Sequence, residues 1–468
     1  MLADYLVLMR YELLLTMAIF LLLFLKIGKA GSSARNSMVV ANGALVLALI
    51  GGFAMTQAGE LFGDMFQTND LPRFQKNLLL LGTLIVSLQA SPWLKQHPNA
   101  AEFYMLLLTT LLGLFFMISS SNLIMFYLGL EMSSIPLAAL VNFEPEKKRS
   151  SEAAFKMIVS SAFASGLLLF GISWIYGANG TVSFMELAAS IQPSPLQYAA
   201  FVMIFSGFAF KISIVPFHLW TADVYQGAPV PVTAFLSVVS KGAVLFAAIT
   251  ALYKVFGAFG HAWYPLIYLL AVATMLVGNL FAMRQQNIKR FLAFSSVAQM
   301  GFILVGLSSQ TTAGASSLIY FVLVYVFSNL GAFGVVALVS EQTGRENISD
   351  YRGLCKTNPT LAWVLAIALF SLAGIPPTAG FFGKFFLLLA GALKENWWLI
   401  TIAALNMIVS LYYYLRVIKA MFMEDQVDRL PKLSSGLLPI LSMIICTTGI
   451  LVTGIASGAY GYISRLFN

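Results

Sequence analysis

The chain has 468 residues, of which 59% are apolar and 10% charged, and its mean hydropathy is +0.85. A soluble domain carries roughly 25% charged residues, so these values exclude nearly every water-soluble enzyme class. They point to an all-α polytopic membrane protein, because lipid offers backbone polar groups no partner outside the helix itself. A net charge of +8 suggests nucleic acid only until the cations are placed along the chain.

Windows of ~19 residues give about fourteen transmembrane helices. They lie near 5–25, 37–56, 77–93, 101–119, 122–141, 153–176, 197–218, 231–253, 263–283, 289–308, 314–340, 360–390, 397–421 and 435–460. The apolar run Leu13–Leu25 continues without a small-residue cleavage site after it, so no cleavable signal is expected. Two segments are irregular. The seventh carries Lys211, Pro216, His218 and Asp223 and is followed by Pro229 and Pro231. The twelfth is interrupted by Gly374-Ile375-Pro376-Pro377, with Gly380 and Gly383 beyond.

Cations orient such a chain, since cytoplasmic loops are enriched in Lys and Arg. An external N-terminus assigns seventeen cations to internal loops, among them Lys26, Lys29, Lys147, Lys148, Arg149, Arg345, Arg352 and Lys356. It assigns six to external segments: Arg10, Arg73, Lys76, Lys254, Lys394 and Arg465. The basic excess is therefore mostly topology, and nucleic acid is not an expected partner. Cys355 and Cys446 are the only cysteines and His97, His218 and His261 the only histidines. These cannot by themselves build an iron–sulfur cluster or a zinc finger. With no Walker or Gly-x-Gly-x-x-Gly motif either, no cofactor or metal is expected on this chain.

Four lysines remain inside the spans, Lys156, Lys211, Lys241 and Lys384, and Glu131 is the acid that lies deep in one. A charge at the bilayer centre costs at least ~2.5–3.5 kcal/mol on insertion scales. Each group has a structural and a functional role open to it. Lys156, near Lys147-Lys148-Arg149, can snorkel to the interface. Glu131 and Lys211 can be an ion pair pinning two helices. Lys241 and Lys384 can bond carbonyls freed by a broken helix. His218 can carry a proton or bond a freed carbonyl. The functional alternative is a proton relay, for which Lys suits because, unlike Arg, it gives up its proton in a dry site.

The two irregular segments share a plan, in which a lysine accompanies a proline break. Ser206–Lys211 is followed by Pro216, and Gly374-Ile375-Pro376-Pro377 is followed by Lys384. They are five spans apart, and an odd offset reverses orientation. An inverted repeat of helices 4–8 and 9–13 follows, with the broken helices 7 and 12 in corresponding places, a pointer to an ion site near the midplane. The domains expected are 1–100 (helices 1–3), 101–256 (helices 4–8), 257–421 (helices 9–13) and 422–468 (helix 14). Charge is not repeated: Ser295, Ser296 and Gln299 stand where the first half has Glu131, and Asn406 and Ser410 where it has Lys241.

LGLEMSSIPL around Glu131, SSEAAFKMIVSS around Lys156, GFAFKISIVPFHLW and FLSVVSKGAVLF around Lys211, His218 and Lys241, and SLAGIPPTAGFFGKFF around Lys384 are together specific. Over most of its length the chain resembles the antiporter-like membrane subunits of complex I, the type I NADH:quinone oxidoreductase. It is most like the type without a long C-terminal lateral helix and with Lys at the position of Lys384. The resemblance implies a proton-translocating subunit with two inverted five-helix bundles. In it Glu131 pairs with Lys211, Lys156 lies near them, Lys241 is the central relay, Lys384 leads to one exit and His218 follows the broken helix. It also implies a hetero-oligomer with other membrane subunits, in the plasma membrane of a bacterium, whose flavin, iron–sulfur clusters and quinone sit on other chains. A subunit of a multisubunit cation/proton antiporter shares the same motifs, and a non-pumping structural subunit is a further alternative.

Overall fold

The computed structural model describes residues 2–28, 33–63, 65–95, 97–426, 428–456 and 458–467. Lys29, counted among the internal cations, lies outside them. All fourteen expected segments are helical. In chain order the main helices are α1 Arg10–Ile27, α2 Ala34–Ala54, α3 Asp70–Leu94, α4 Ala100–Ile118, α5 Leu123–Val141, α6 Lys148–Asn179 and α7 Pro195–Lys211. They continue as α8 Leu219–Gly227, α9 Val230–Val255, α10 Gly260–Arg284, α11 Ile288–Ser308 and α12 Thr312–Thr343. The last are α13 Pro359–Ala373, α14 Ala379–Ala392, α15 Trp397–Phe422, α16 Leu437–Ile455 and α17 Gly458–Arg465. Eleven helices among the described residues are long and apolar enough to cross a membrane. The chain is a multi-pass, all-α membrane protein with one exception among the described residues, a short antiparallel hairpin of β1 Gly59–Leu61 and β2 Phe66–Thr68.

Local chemistry sets the helix ends. Ser194 accepts from Gln197 N–H ahead of Pro195, which opens α7. Thr311 caps α12 through Gly314 N–H, and Gly344 closes it at φ +67°. The irregular segments are real interruptions. After Lys211 the backbone turns out of the helix at Ser213, whose φ of +64° few non-glycine residues adopt. α13 stops at Gly374 with φ +88°, and helix resumes at Ala379. Within α9, a π-turn over Leu236–Ser240 immediately precedes Lys241.

The chain divides into two compact units. The first comprises Met1–Ser87, Trp93–Ile212 and Val239–Trp263; the second comprises Leu88–Pro92, Ser213–Val238 and Tyr264–Asn468. In the first, α4 and α5 approach at Gly113 and Gly129. A Cβ on Gly129 would stand 2.5 Å from Met117 N, and one on Gly113 2.5 Å from Ser133 N. Backbone contact of this kind is how small residues join membrane helices, and it fixes the helix that carries Glu131. In the second unit, Arg416 donates to Met283 O and Gln285 O, capping the open end of α10. Arg345, Arg352 and Lys356, all expected on one side of the membrane, pair with Asp428, Glu424 and Asp425.

Two charges correct the sequence expectation. Lys76, expected in an external segment, lies within α3 and is 0% exposed; Glu12, in α1, is 1% exposed, so Glu131 is not the sole acid within the helices. They pair at 2.5 Å.

Gly129→Val should lower the stability of the α4–α5 pair by about 1–3 kcal/mol, the usual range for overpacking. The check is the unfolding midpoint of the purified chain in mixed micelles titrated with denaturing detergent; an unchanged midpoint would contradict the close approach.

Candidate proton-handling groups

In the first unit, Lys211 is the last residue of α7. Its Nζ donates to Ser134 Oγ at 2.6 Å and to Ser161 Oγ at 2.8 Å. Ser134 is one helical turn beyond Glu131 on α5, so Lys211 reaches the face of α5 that carries the acid. Glu131 Oε1 is buried and has no hydrogen-bond partner. Lys211 is thus held by two neutral hydroxyls, with the carboxylate nearby but outside its hydrogen bonds. The serines carry no signal of their own in the sequence. Their spacing from the charged residues, three after Glu131 and five after Lys156, is the one clue it offers.

Lys156 is placed differently. It pairs with Glu152 at 2.7 Å across one turn of α6, and its side chain is 40% exposed. Lys241 is 1% exposed and opens the regular helix after the π-turn, in the part of α9 that packs against α4.

In the second unit, Lys384 is 1% exposed on α14, and its Nζ donates to Leu372 O at 2.8 Å and Ala373 O at 3.1 Å. These carbonyls end α13, where the break removes their helical donors. Gly374 is needed twice here. Its φ is positive, and a Cβ on it would come within 3.2 Å of Lys384 Cδ. The Leu372 carbonyl also accepts from Gln299 Nε2 at 3.0 Å, and Gln299 donates to Tyr414 OH at 3.1 Å. Tyr414 in turn shares a 2.5 Å hydrogen bond with Ser295. A buried polar chain therefore runs from Lys384 through Leu372 O and Gln299 to Tyr414 and Ser295. Ser295 and Gln299 stood out in the sequence as replacements for an acid, whereas Tyr414, one of many aromatics, did not.

His218 is 8% exposed, stands just before α8, and its Nδ1 is buried without a hydrogen-bond partner. Asp223, in the same irregular segment, pairs with Arg290 at 2.6 Å. Among the described residues no group of three or more His, Cys, Asp or Glu side chains could hold a metal.

Lys384→Met would leave the Ala373 carbonyl without its donor and the Leu372 carbonyl with Gln299 alone, at about 1–3 kcal/mol for the group left unsatisfied. The thermal midpoint of the purified chain in mild detergent should fall accordingly. An unchanged midpoint would show that the carbonyls find other donors.

Residues 120–410 match the family model described as "NADH:quinone oxidoreductase/Mrp antiporter, TM". The chain is 49% identical over 416 residues to NADH-quinone oxidoreductase subunit N of Azobacteroides pseudotrichonymphae, covering 88% of this chain and 87% of the relative. It is 46% identical over 408 residues to the subunit of the same name from Phocaeicola vulgatus, covering 86% of each. Among solved structures it is similar to a chain of respiratory complex I from Thermus thermophilus, with a TM-score of 0.84 and 28% identity. That match covers 96% of this chain and 97% of the other. The chain therefore belongs to the NADH:quinone oxidoreductase/Mrp antiporter transmembrane family and, within it, to the subunit N group of NADH-quinone oxidoreductases.

Proposed function

We propose that this chain is a proton-translocating subunit of the membrane arm of a bacterial complex I, which couples quinone reduction on other subunits to proton movement across the plasma membrane. It crosses the membrane fourteen times with its N-terminus outside. Helices 4–8 (101–256) and 9–13 (257–421) form two inverted repeats around the broken helices 7 and 12, flanked by 1–100 and 422–468. Its partners are the other membrane subunits and the surrounding lipid. Flavin, iron–sulfur clusters and quinone belong to other chains.

One observation carries the proposal. Lys211 and Lys384 each give two hydrogen bonds, all four to neutral oxygens. An ammonium has three N–H donors, and the neutral amine keeps two. Either lysine can lose one proton and retain both bonds, so its charge changes without dismantling its site. Glu131 is then the switch. A carboxylate within ~4–6 Å of an ammonium favours the charged form. When Glu131 moves closer, Lys211 holds its proton; when it withdraws, the proton passes toward Lys241 and on to Lys384. Lys156 adjusts the field from the rim of α6, and His218 serves the path beyond the first break. Moving one charge against ~100 mV takes about 2.3 kcal/mol. Each unit of change in a site's proton affinity is worth ~1.4 kcal/mol, so a shift of about two units suffices.

In inverted membrane vesicles containing the assembled complex, Lys211→Ala and Glu131→Ala should lower NADH-driven proton pumping at least about tenfold, below the ~10²-fold typical of losing a positioned proton carrier. Lys211→Arg should fail as well, because Arg keeps its proton. An unchanged ratio of protons to electrons in assembled Lys211→Ala would assign the chain a structural role instead.

A further inference from the structure

The N-terminal helices hold a charged pair that the proton path above does not use. Glu12 is the third residue of α1 and Lys76 the seventh of α3, and both precede the segment that matches the family model. Lys76 Nζ meets Glu12 Oε1 at 2.5 Å, with side chains 0% and 2% exposed. The ammonium lies 4.9 Å from the ring centre of Phe66, 5.4 Å from that of Tyr11 and 5.7 Å from that of Phe115. The other carboxylate oxygen, Glu12 Oε2, is buried with no hydrogen-bond partner.

As a pin between helices this is a poor arrangement. Burying two ions costs several kcal/mol each, and the attraction repays it only when the remaining lone pairs are satisfied. Here one oxygen is left bare. The same features suit a different task. Three aromatic faces add to the attraction that holds Lys76 as a cation, so part of it remains when Glu12 is neutral. Oε2 is then free to take a proton, and the pair has two states, neutral overall or carrying one positive charge.

A cavity lies on the other side of the hairpin strand. Side chains alternate across a strand, so Phe66, in β2, covers Lys76 while its neighbour Gln67 faces the other way. Gln67 lines a cavity of about 370 Å³ together with Glu60, Ser120, Thr250 and Lys254. That cavity, lined also by Phe184 and Met185, borders the strand whose Phe66 covers the ammonium.

We propose that Glu12 and Lys76 form a second proton-carrying site, with Glu12 Oε2 as the acceptor and Lys76 as its fixed cation. On uptake an O–H bond of a hydronium in the cavity breaks and an O–H bond to Oε2 forms; release reverses the step, with no change of oxidation state. The role rests on the chain translocating protons.

The test uses the assembled complex in inverted membrane vesicles and compares Glu12→Gln, the charge-free double variant Glu12→Leu with Lys76→Met, and Lys211→Ala. A proton-carrying pair predicts that Glu12→Gln and the double variant assemble but move fewer protons per electron than wild type. A double variant that assembles and pumps at the wild-type ratio overturns the proposal, since apolar replacement preserves a pin. Should the double variant fail to assemble, NADH-induced infrared difference spectra decide. A protonated-carboxyl band in wild type that Glu12→Gln lacks supports the site, and identical spectra overturn it. Full pumping in Lys211→Ala would instead overturn the relay of the preceding section, while the infrared band still judges Glu12 on its own.

Discussion

A carbonyl freed inside hydrocarbon has no water to turn to, so a helix can break within a membrane only where side chains or protein take over its hydrogen bonds. The end of α13 shows how this chain meets that demand. Its last carbonyls are taken by Lys384 Nζ, and Gln299 shares one of them. The lysine is therefore required by the break, and the break gives the lysine its acceptors. Removing either leaves the other exposed to an unsatisfied group, which is why Gly374, Lys384 and Gln299 are best regarded as one device. The first break makes no such closed arrangement. Lys211 sits at the very end of α7 and spans to serines on two other helices, joining α5, α6 and α7. One lysine is tied to its own broken segment and the other to its neighbours. A movement of α5 would thus be felt at Lys211 directly.

Much of this architecture is legible in the sequence. The fourteen apolar segments become helices because hydropathy is the dominant energy in a bilayer, and the proline and glycine clusters mark real interruptions. The lysines Lys241 and Lys384 are buried as their surroundings suggest. Lys156 is ambiguous on position alone, since a lysine near a basic loop can turn either way; in the structure it is partly exposed and pairs with Glu152. The Ser134 and Ser161 acceptors were not legible, because serine is frequent in these helices and its role is set by which helix lies opposite.

The pair Glu12–Lys76 was missed for a physical reason. Hydropathy treats a charge near the end of an apolar run as interfacial, and for an isolated helix that is correct. Here a hairpin of a few residues folds over the end of α3, and its Phe66 covers the ammonium. The partners are 64 residues apart, so no local window contains both. Burial of this kind is a tertiary property, and the signal would have been the coincidence of an acid just inside the first span with a base just ahead of the third.

The chain thus holds ammonium groups in two distinct ways. Lys384 and Lys211 have neutral oxygens as acceptors and keep two hydrogen bonds whether or not they are charged. Lys76 faces a carboxylate and three rings, and a ring face attracts a cation far more than a neutral amine. Deprotonation would cost Lys76 its ion pair and the attraction of three rings, whereas Lys384 and Lys211 would each lose one ring contact, with Phe302 at 4.8 Å and Phe210 at 5.9 Å, and neither of their hydrogen bonds. Under the proposed proton-translocating role, the mobile proton at the N-terminal pair therefore belongs on the acid, and in the helices beyond it on the base. The surroundings of a buried nitrogen, more than its depth, decide whether it or its partner is the easier group to change in charge.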